Sequence, residues 1–593
     1  MAAEQGTVEI DGKKLNKVEA IKYKKDGLDV WDDIFKYGTN PDPLSLYQVV
    51  ASLDQPTPEA RAAKDQWEKG ELDKNDPALM LSLRRAASVP GDDRVRFRWY
   101  GIYMQLPNTA HYMMRIRIPN GFLTPDQFRE IARLSEKFGR GFGDITTRQC
   151  IQLHWLTIES FAEILPSLEK VGLVSKFACG DTPRNVVGCP LAGLLAAEHI
   201  DPTPAVHAVN DMFLKGNKEF SNFPRKFKTA LAGCHLHCHQ PQINDIGVFG
   251  VTRKHPQTGV EQRGYGVMVG GGLSTQPYIG QSLRVFVTED QLPAVSRGIA
   301  HVFRDHGYRE KRTRARLKYL VSDWGWQKFR DVLEADIGFK LEHDESITGP
   351  VKAPHTDHMG TGPQKQPGLN YVGIPIERGR LTVEQMRIAS NLAEKYGAPG
   401  KAQIRLSNKQ NLILVNIPTE KLDGLVKELT DAGMPPHAPL WRTSLLSCTG
   451  TQFCNLAIVE TKDRAQRILK FLEEQCDIDS PIMLSVTGCP NSCSQYQIAD
   501  IGLMGVVCNF RGVRGTEAYN VYLGGTLGEG AKFGALTLNK VPAELVQKSI
   551  KQIVDAYKAN RIDADESFRQ FLGRHTPAQL KEWLMIPEMA EVK

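Results

Sequence analysis

The chain has 593 residues, a formal net charge of +6, 41% hydrophobic and 24% charged residues, and eleven cysteines. Its length exceeds what one hydrophobic core supports, so several domains are expected. It has no run of about twenty apolar residues, which excludes a helical membrane span, and MAAEQGTVEIDGKKLNKVEA at the start reads as neither a secretory signal nor a transit peptide, so a cytoplasmic protein is expected. Cysteines in such a chain point to metal or redox chemistry rather than a disulfide framework.

In chain order, residues 1–92 match nothing else in the sequence and read as a largely helical N-terminal extension. Residues 93–172 form a small α+β unit. In it Thr124 and Gln127 make a capping box, Ile131, Leu134 and Phe138 mark an apolar helix face, and Gly139 is expected as a C′ glycine. A strand-like run and a second helix, FAEILPSLEKVGL, follow. Residues 173–348 are a longer α/β segment containing GCHLHCHQPQINDIG (Gly233–Gly247) and YGVMVGGGLSTQ. Residues 349–366 are rich in Pro, Gly and His and read as a linker.

The pattern then repeats. Residues 367–438 again carry a capping box, Thr382 with Gln385, a stop at Gly397 and a second helix, EKLDGLVKELTDAGM. Residues 439–593 contain GCPNSCSQYQIADIG (Gly488–Gly502), 255 residues after its first copy, and YNVYLGGTLGEG. Landmarks matched in the same order make this a duplication, A-B-A′-B′.

The second half holds a thiol quartet, Cys448-x5-Cys454 and Cys489-x3-Cys493. Four soft thiolates suit an iron–sulfur cluster or zinc. The x5 loop is wide for a zinc knuckle and favours a four-iron four-sulfur cluster. The first half keeps Cys234 and Cys238, but its other cysteines, Cys179 and Cys189, are ten apart with Arg184 between them. Cys234 and Cys238 read as a relic of duplication, with zinc bound alongside His235, His237 and His239 as the alternative. The first half is rich in cations: Arg115, Arg117, Arg148, Arg184, Arg225, Lys226, Lys228, Arg312, Arg314, Arg316 and Lys318. They suggest a polyanionic ligand. They form no stripe and lack interleaved aromatics, so a carboxylate-rich cofactor fits better than nucleic acid.

SCTGTQFCNLAIVETK, TGCPNSCSQYQIADIG and the duplicated layout closely resemble the ferredoxin-dependent sirohaem nitrite and sulfite reductases. The resemblance implies an α+β, pseudo-twofold fold of two ferredoxin-like units and two larger sirohaem- and cluster-binding units. It implies a 4Fe–4S cluster on Cys448, Cys454, Cys489 and Cys493, with Cys493 also bridging to the sirohaem iron. It assigns substrate handling to Arg115, Arg184, Lys226 and Lys228, and sirohaem contacts to Thr146, Arg148, Gln152, His154, Arg225 and Asn491. RFRWYGIYMQ and ACGDTPR resemble segments that supply a covalent Tyr–Cys link, here Tyr103 and Cys179. The implied reaction is six-electron reduction of nitrite to ammonia by a monomer taking electrons from ferredoxin. Lys228, His154 and RFRWYGIY are sulfite-like features, so sulfite reduction or dual activity is the alternative. A non-catalytic iron–sulfur carrier or sensor would need no such cations.

Overall fold

A computed structural model describes residues 97–592 except 107–110, 256 and 352–357, together with a hairpin of β1 (Thr7–Ile10) and β2 (Lys13–Asn16). The rest of the extension expected to be largely helical lies outside the described residues.

The first small unit contains β3 (Ile102–Met104), β4 (Tyr112–Ile116), β5 (Phe122–Leu123), α1 (Pro125–Phe138), β6 (Phe142–Ile145), β7 (Ile151–Leu156) and α2 (Phe161–Lys170). The first large unit follows with α3 (Thr203–Lys215), β8 (Thr229–Leu231), β9 (Ile246–Lys254), β10 (Glu261–Val269), β11 (Gln281–Val287), α4 (Leu292–His306), α5 (Leu317–Ile337) and β12 (Glu342–His343). The second small unit has β13 (Gly360–Pro363), β14 (Leu369–Ile374), β15 (Arg380–Thr382), α6 (Val383–Tyr396), β16 (Gln403–Leu406), β17 (Leu412–Pro418) and α7 (Leu422–Asp431). The second large unit has β18 (Leu445–Ser447), α8 (Lys462–Gln475), β19 (Leu484–Thr487), β20 (Ile501–Phe510), β21 (Val513–Leu523), β22 (Ala535–Pro542) and α9 (Val546–Asn560).

Both capping boxes form. Thr124 Oγ1 accepts from Gln127 N at 3.2 Å, and Thr382 Oγ1 accepts from Gln385 N at 3.1 Å. Gly139 and Gly397 end the helices, but neither is left-handed, with φ of −116° and −63°. Glycine is needed there for close approach: a Cβ on Gly397 would lie 2.5 Å from Ala393 O. The expected linker is shorter than its composition suggested, because Gly360–Pro363 pairs with β14.

The small units exchange edge strands. Their sheets run β15-β6-β7-β4-β3 and β13-β14-β17-β16-β5. Thus β15 of the second unit closes the first sheet, and β5 of the first closes the second. One apolar core spans both, from Phe128, Ile131 and Leu153 to Met386, Leu414 and Leu425. Sharing an edge this way removes two unpaired strand edges at once. Two left-handed glutamines fasten the exchange: Gln149 Nε2 donates to Leu406 O (2.9 Å), and Gln410 Nε2 donates to Ile145 O (2.8 Å).

The large units each carry a five-stranded sheet, β12-β11-β10-β9-β8 and β18-β19-β20-β21-β22, over its own core. The pseudo-twofold relation is marked where they meet. Gln240 and Gln495, 255 residues apart, donate reciprocally amide to amide at 2.6 and 2.7 Å. Each is buried and left-handed. Removing one partner strands a buried amide, at a cost of about 1–3 kcal/mol. Gln240→Leu should therefore lower the urea midpoint, followed by tryptophan fluorescence. Adding Gln495→Leu should recover part of the loss, and simple additivity of the two losses would contradict a direct pair.

Candidate active site

Two cysteine loops leave the C-terminal ends of the adjacent parallel strands β18 and β19. Cys448 directly follows β18, and Cys489 lies two residues after β19. The loops are tied together: Gly488 N donates to Cys448 Sγ at 3.2 Å, and Ile458 N to Gly488 O at 2.8 Å. Gly450 is left-handed at φ 65°, and a Cβ there would lie 2.4 Å from Thr461 Oγ1, so this turn requires glycine. Burial pushes the Cys448 thiol up to about 12, with Cys493 the next cause. Burial also raises Cys454 and Cys489, and both sense Cys493. Cys448, Cys454 and Cys489 are thus each within electrostatic reach of Cys493. Among the described residues no three His, Cys, Asp or Glu side chains are gathered round a single ion; the wide loop suits a larger cluster.

Cys493 is exposed, unlike Cys489. Thr147 Oγ1, from the first half, donates to Cys493 O at 3.0 Å. Arg115 and Lys226 both feel the Cys493 thiol. The thiol quartet therefore meets the cations of the first half at Cys493.

Those cations are placed by strands and turns. Arg115 on β4 faces Gln152 on β7, and Gln152 Oε1 accepts from Arg115 Nε (3.2 Å) and Nη2 (2.9 Å). Arg115 Nη1 donates to Ala178 O at 3.1 Å and lies 3.5 Å from the Tyr103 hydroxyl. Arg184 Nη1 donates to the same Ala178 O at 3.0 Å, while its Nη2 donates to Gly180 O at 2.7 Å and lies 3.8 Å from Cys179 Sγ. Burial, then Cys179, pushes the Tyr103 hydroxyl up to about 12.

Lys226 and Lys228 sit half-buried just before β8. Burial, then Arg316, lowers Lys226 to about 8. Burial, then Lys226, holds Lys228 well below the lysine range. Burial also brings Arg225 to about 10 and Lys318 to about 7. The carboxylates among these cations are already engaged: Asp245 pairs with Arg316 at 2.8 Å and accepts from Lys228 N at 2.9 Å, and Asp181 pairs with Arg312 at 2.9 Å. Arg148 Nε, Arg184 Nε and Ser492 Oγ are buried without a hydrogen-bond partner. Crowded, desolvated cations with orphaned donors fit a large polyanion.

The expected sirohaem contacts divide. Arg148 spends its guanidinium on Asn244 Oδ1 (2.8 Å), Asn185 O (2.6 Å) and Thr229 O (3.1 Å). Thr146 Oγ1 accepts from Arg148 N and Cys150 N in the turn that presents Arg148. Gln152 holds Arg115, Arg225 is half-buried, and Asn491 is exposed beside Cys489. His154 is fully buried, stacked 4.1 Å from Phe453 and 3.3 Å from Asp144 Oδ2, away from Gln152 and Arg148. The cause is a bulge. Opposite Tyr112 and Met114 the β7 partners are Leu156 and Leu153, and Trp155 is left-handed, so strand alternation fails at His154. Beneath it burial would raise Asp144, but Lys462 and a bidentate Arg380 (2.7 and 2.9 Å) hold its carboxyl well below the usual range.

Sequence reasoning missed Thr147 and Asp245. Asp245 had a signal: it recurs as Asp500 in the second Q-x-I-x-D-I-G, where it accepts from Met483 N (2.9 Å) and Arg569 Nε (2.8 Å) as Asp245 does from Lys228 N and Arg316.

The nitrite and sulphite reductase 4Fe-4S domain matches residues 179–341 and 442–590, and the nitrite/sulfite reductase ferredoxin-like half domain matches residues 104–171 and 362–432. A "Sulfite reductase [ferredoxin] 1" of Mycolicibacterium paratuberculosis is 37% identical, covering 83% of this chain and 90% of that protein. An "Assimilatory ferredoxin-dependent nitrite reductase" of Haloferax mediterranei is 36% identical over 84% of this chain and 88% of its own length. The solved structure of the NirA protein of Mycobacterium tuberculosis aligns with a TM-score of 0.78 at 33% identity, covering 93% of this chain and 97% of that one. With the two domains matched in alternation along most of its length, the chain belongs to the nitrite and sulphite reductase family.

Proposed function

We propose that the protein reduces nitrite to ammonia with six electrons taken singly from reduced ferredoxin. The cofactors are a 4Fe–4S cluster and sirohaem. Cys448, Cys454, Cys489 and Cys493 would hold the cluster, with Cys493 shared with the haem. Arg148, Arg225, Thr146, Gln152 and Asn491 would line the tetrapyrrole. When bound, the two groups supply electrons to the substrate atom. The carrying observation is that Cys493, the exposed thiol of the quartet, is bound through its carbonyl to Thr147 of the first half and lies within electrostatic reach of Arg115 and Lys226. An electron carrier or sensor would have no use for that convergence.

In this reading the protein's own groups bind the anion and deliver protons. Arg115 is held by Gln152 and Ala178 O, and Arg184 by the same loop, so both charges are positioned before substrate arrives. Lys226, at about 8, gains and loses a proton close to neutral pH, as a general acid should. Lys228 beside it favours the second reading, sulfite, because a more highly charged anion better restores the proton to a lysine that burial and Lys226 hold well below the usual range.

Three outcomes test these readings. With reduced viologen as donor, Lys228→Asn should raise the nitrite-over-sulfite ratio of kcat/KM roughly tenfold, about 1.4 kcal/mol; an unchanged ratio removes Lys228 from selectivity. Peptide mass spectrometry should find Tyr103 and Cys179 joined and lighter by two hydrogens, and recovery of both as separate free peptides would sink the link. Raising salt should slow the ferredoxin-linked rate more than the viologen-linked rate, because the chain carries +6 and exposed charges are screened; equal slowing would exclude electrostatic docking.

A further inference from the structure

Three of the cysteines outside this reading, Cys189, Cys234 and Cys238, form a group of their own. Thr229, Ala230 and Leu231 pair in parallel with Ile246, Gly247 and Val248. Shifted by 255 positions, Leu484, Ser485 and Val486 pair identically with Ile501, Gly502 and Leu503. One strand further out, Val187 bridges Ala230 as Leu446 pairs with Ser485. Gly188 N donates to Gln149 Oε1 at 2.9 Å just as Ser447 N donates to Gln410 Oε1 at 3.0 Å. By this register Cys189 stands where Cys448 stands, Cys234 where Cys489 stands, and Cys238 where Cys493 stands. The first half thus retains three positions of the quartet.

A different residue takes the fourth place. The joint between the halves folds back over the first cysteine loop: Leu236 bridges Val351, and Val351 N donates to His235 O at 2.9 Å. The joint continues to His358, whose Nε2 lies 4.0 Å from Cys189 Sγ. Zinc–sulfur bonds of about 2.3 Å and zinc–nitrogen bonds of about 2.0–2.1 Å put a tetrahedral S···N edge at roughly 3.6 Å. Cys189 and Cys234 are each 3% exposed and share an apolar pocket with Leu191, Ala232, Ile413 and Val415. Burial raises the Cys189 thiol, with Cys234 and Cys238 the next causes, and burial pushes Cys234 up to about 12, with Cys238 next. A dication would draw off the three thiol protons to solvent and leave a centre of net charge near −1. Arg405, buried beside Cys189 and donating to Pro190 O at 3.1 Å, supplies the balancing charge.

We propose that Cys189, Cys234, Cys238 and His358 form a second metal centre, a three-thiolate, one-imidazole site for zinc, separate from the cluster quartet. The four side chains are not gathered round one point in this structure, so zinc binding requires them to close in by side-chain rotation. The test uses the full-length holoprotein, dialysed against EDTA and analysed for zinc, iron and acid-labile sulfide. About one zinc per chain is expected, with a zinc-edge X-ray absorption shell of three sulfurs and one nitrogen. Cys234→Ser with Cys238→Ser should abolish the zinc while leaving the visible haem and cluster spectrum intact. The milder His358→Ala should lose roughly half of it or more, which keeps the test valid if the double variant misfolds. No zinc in the wild-type protein, zinc retained in both variants, or extra iron and sulfide in its place would overturn the assignment.

Discussion

Reciprocal strand exchange is the constraint on which the rest of the molecule depends. β5 and β15 are two and three residues long, too short to form sheets of their own. Each is stable only as the edge of the other half's sheet. The exchange forces the small units into one core, and that core fixes how the large units face each other. Arg380 rides on the exchanged strand and is paired in register with Asp144. The same pair underlies His154 and Phe453, the residue before Cys454. The geometry of the cluster loop is therefore coupled to the strand exchange through a buried ion pair with few alternative arrangements.

Duplication gives two matched frames, and the chemistry comes from what differs between them. At one position the first half places Lys228 and the second Met483, each bonded through its backbone N to an equivalent aspartate. Cations accumulate on one side of the pseudo-twofold axis and the cluster quartet lies on the other, with Cys493 at their meeting point. Neither half alone has both the charge to hold a polyanion and the soft donors to hold iron.

Much of this was legible in the sequence. The repeat, the capping boxes at Thr124 and Thr382, the quartet and the cation-rich first half all rest on local patterns or on motifs copied 255 residues apart. What escaped was set by tertiary register. Two- and three-residue strands carry no periodicity. The bulge at Trp155 turned His154 away from where alternation would put it. Cys189 was hidden as the partner of Cys448 because the first half has four more residues between its outer cysteine and the C-x3-C pair, so alignment by spacing fails where alignment by β-register succeeds.

The exchanged strands also set an order of events during synthesis. β6 leaves the ribosome with one edge open, and the residue that closes it, Arg380, lies 236 positions downstream of Asp144. At about 5–20 residues per second, that edge waits on the order of tens of seconds for its partner. The first half must therefore persist as a nascent chain with an unpaired strand, a form open to chaperone capture or to pairing with a neighbouring copy. Slow translation across the joint would lengthen this exposure, so the yield of folded protein is tied to elongation rate as well as to equilibrium stability.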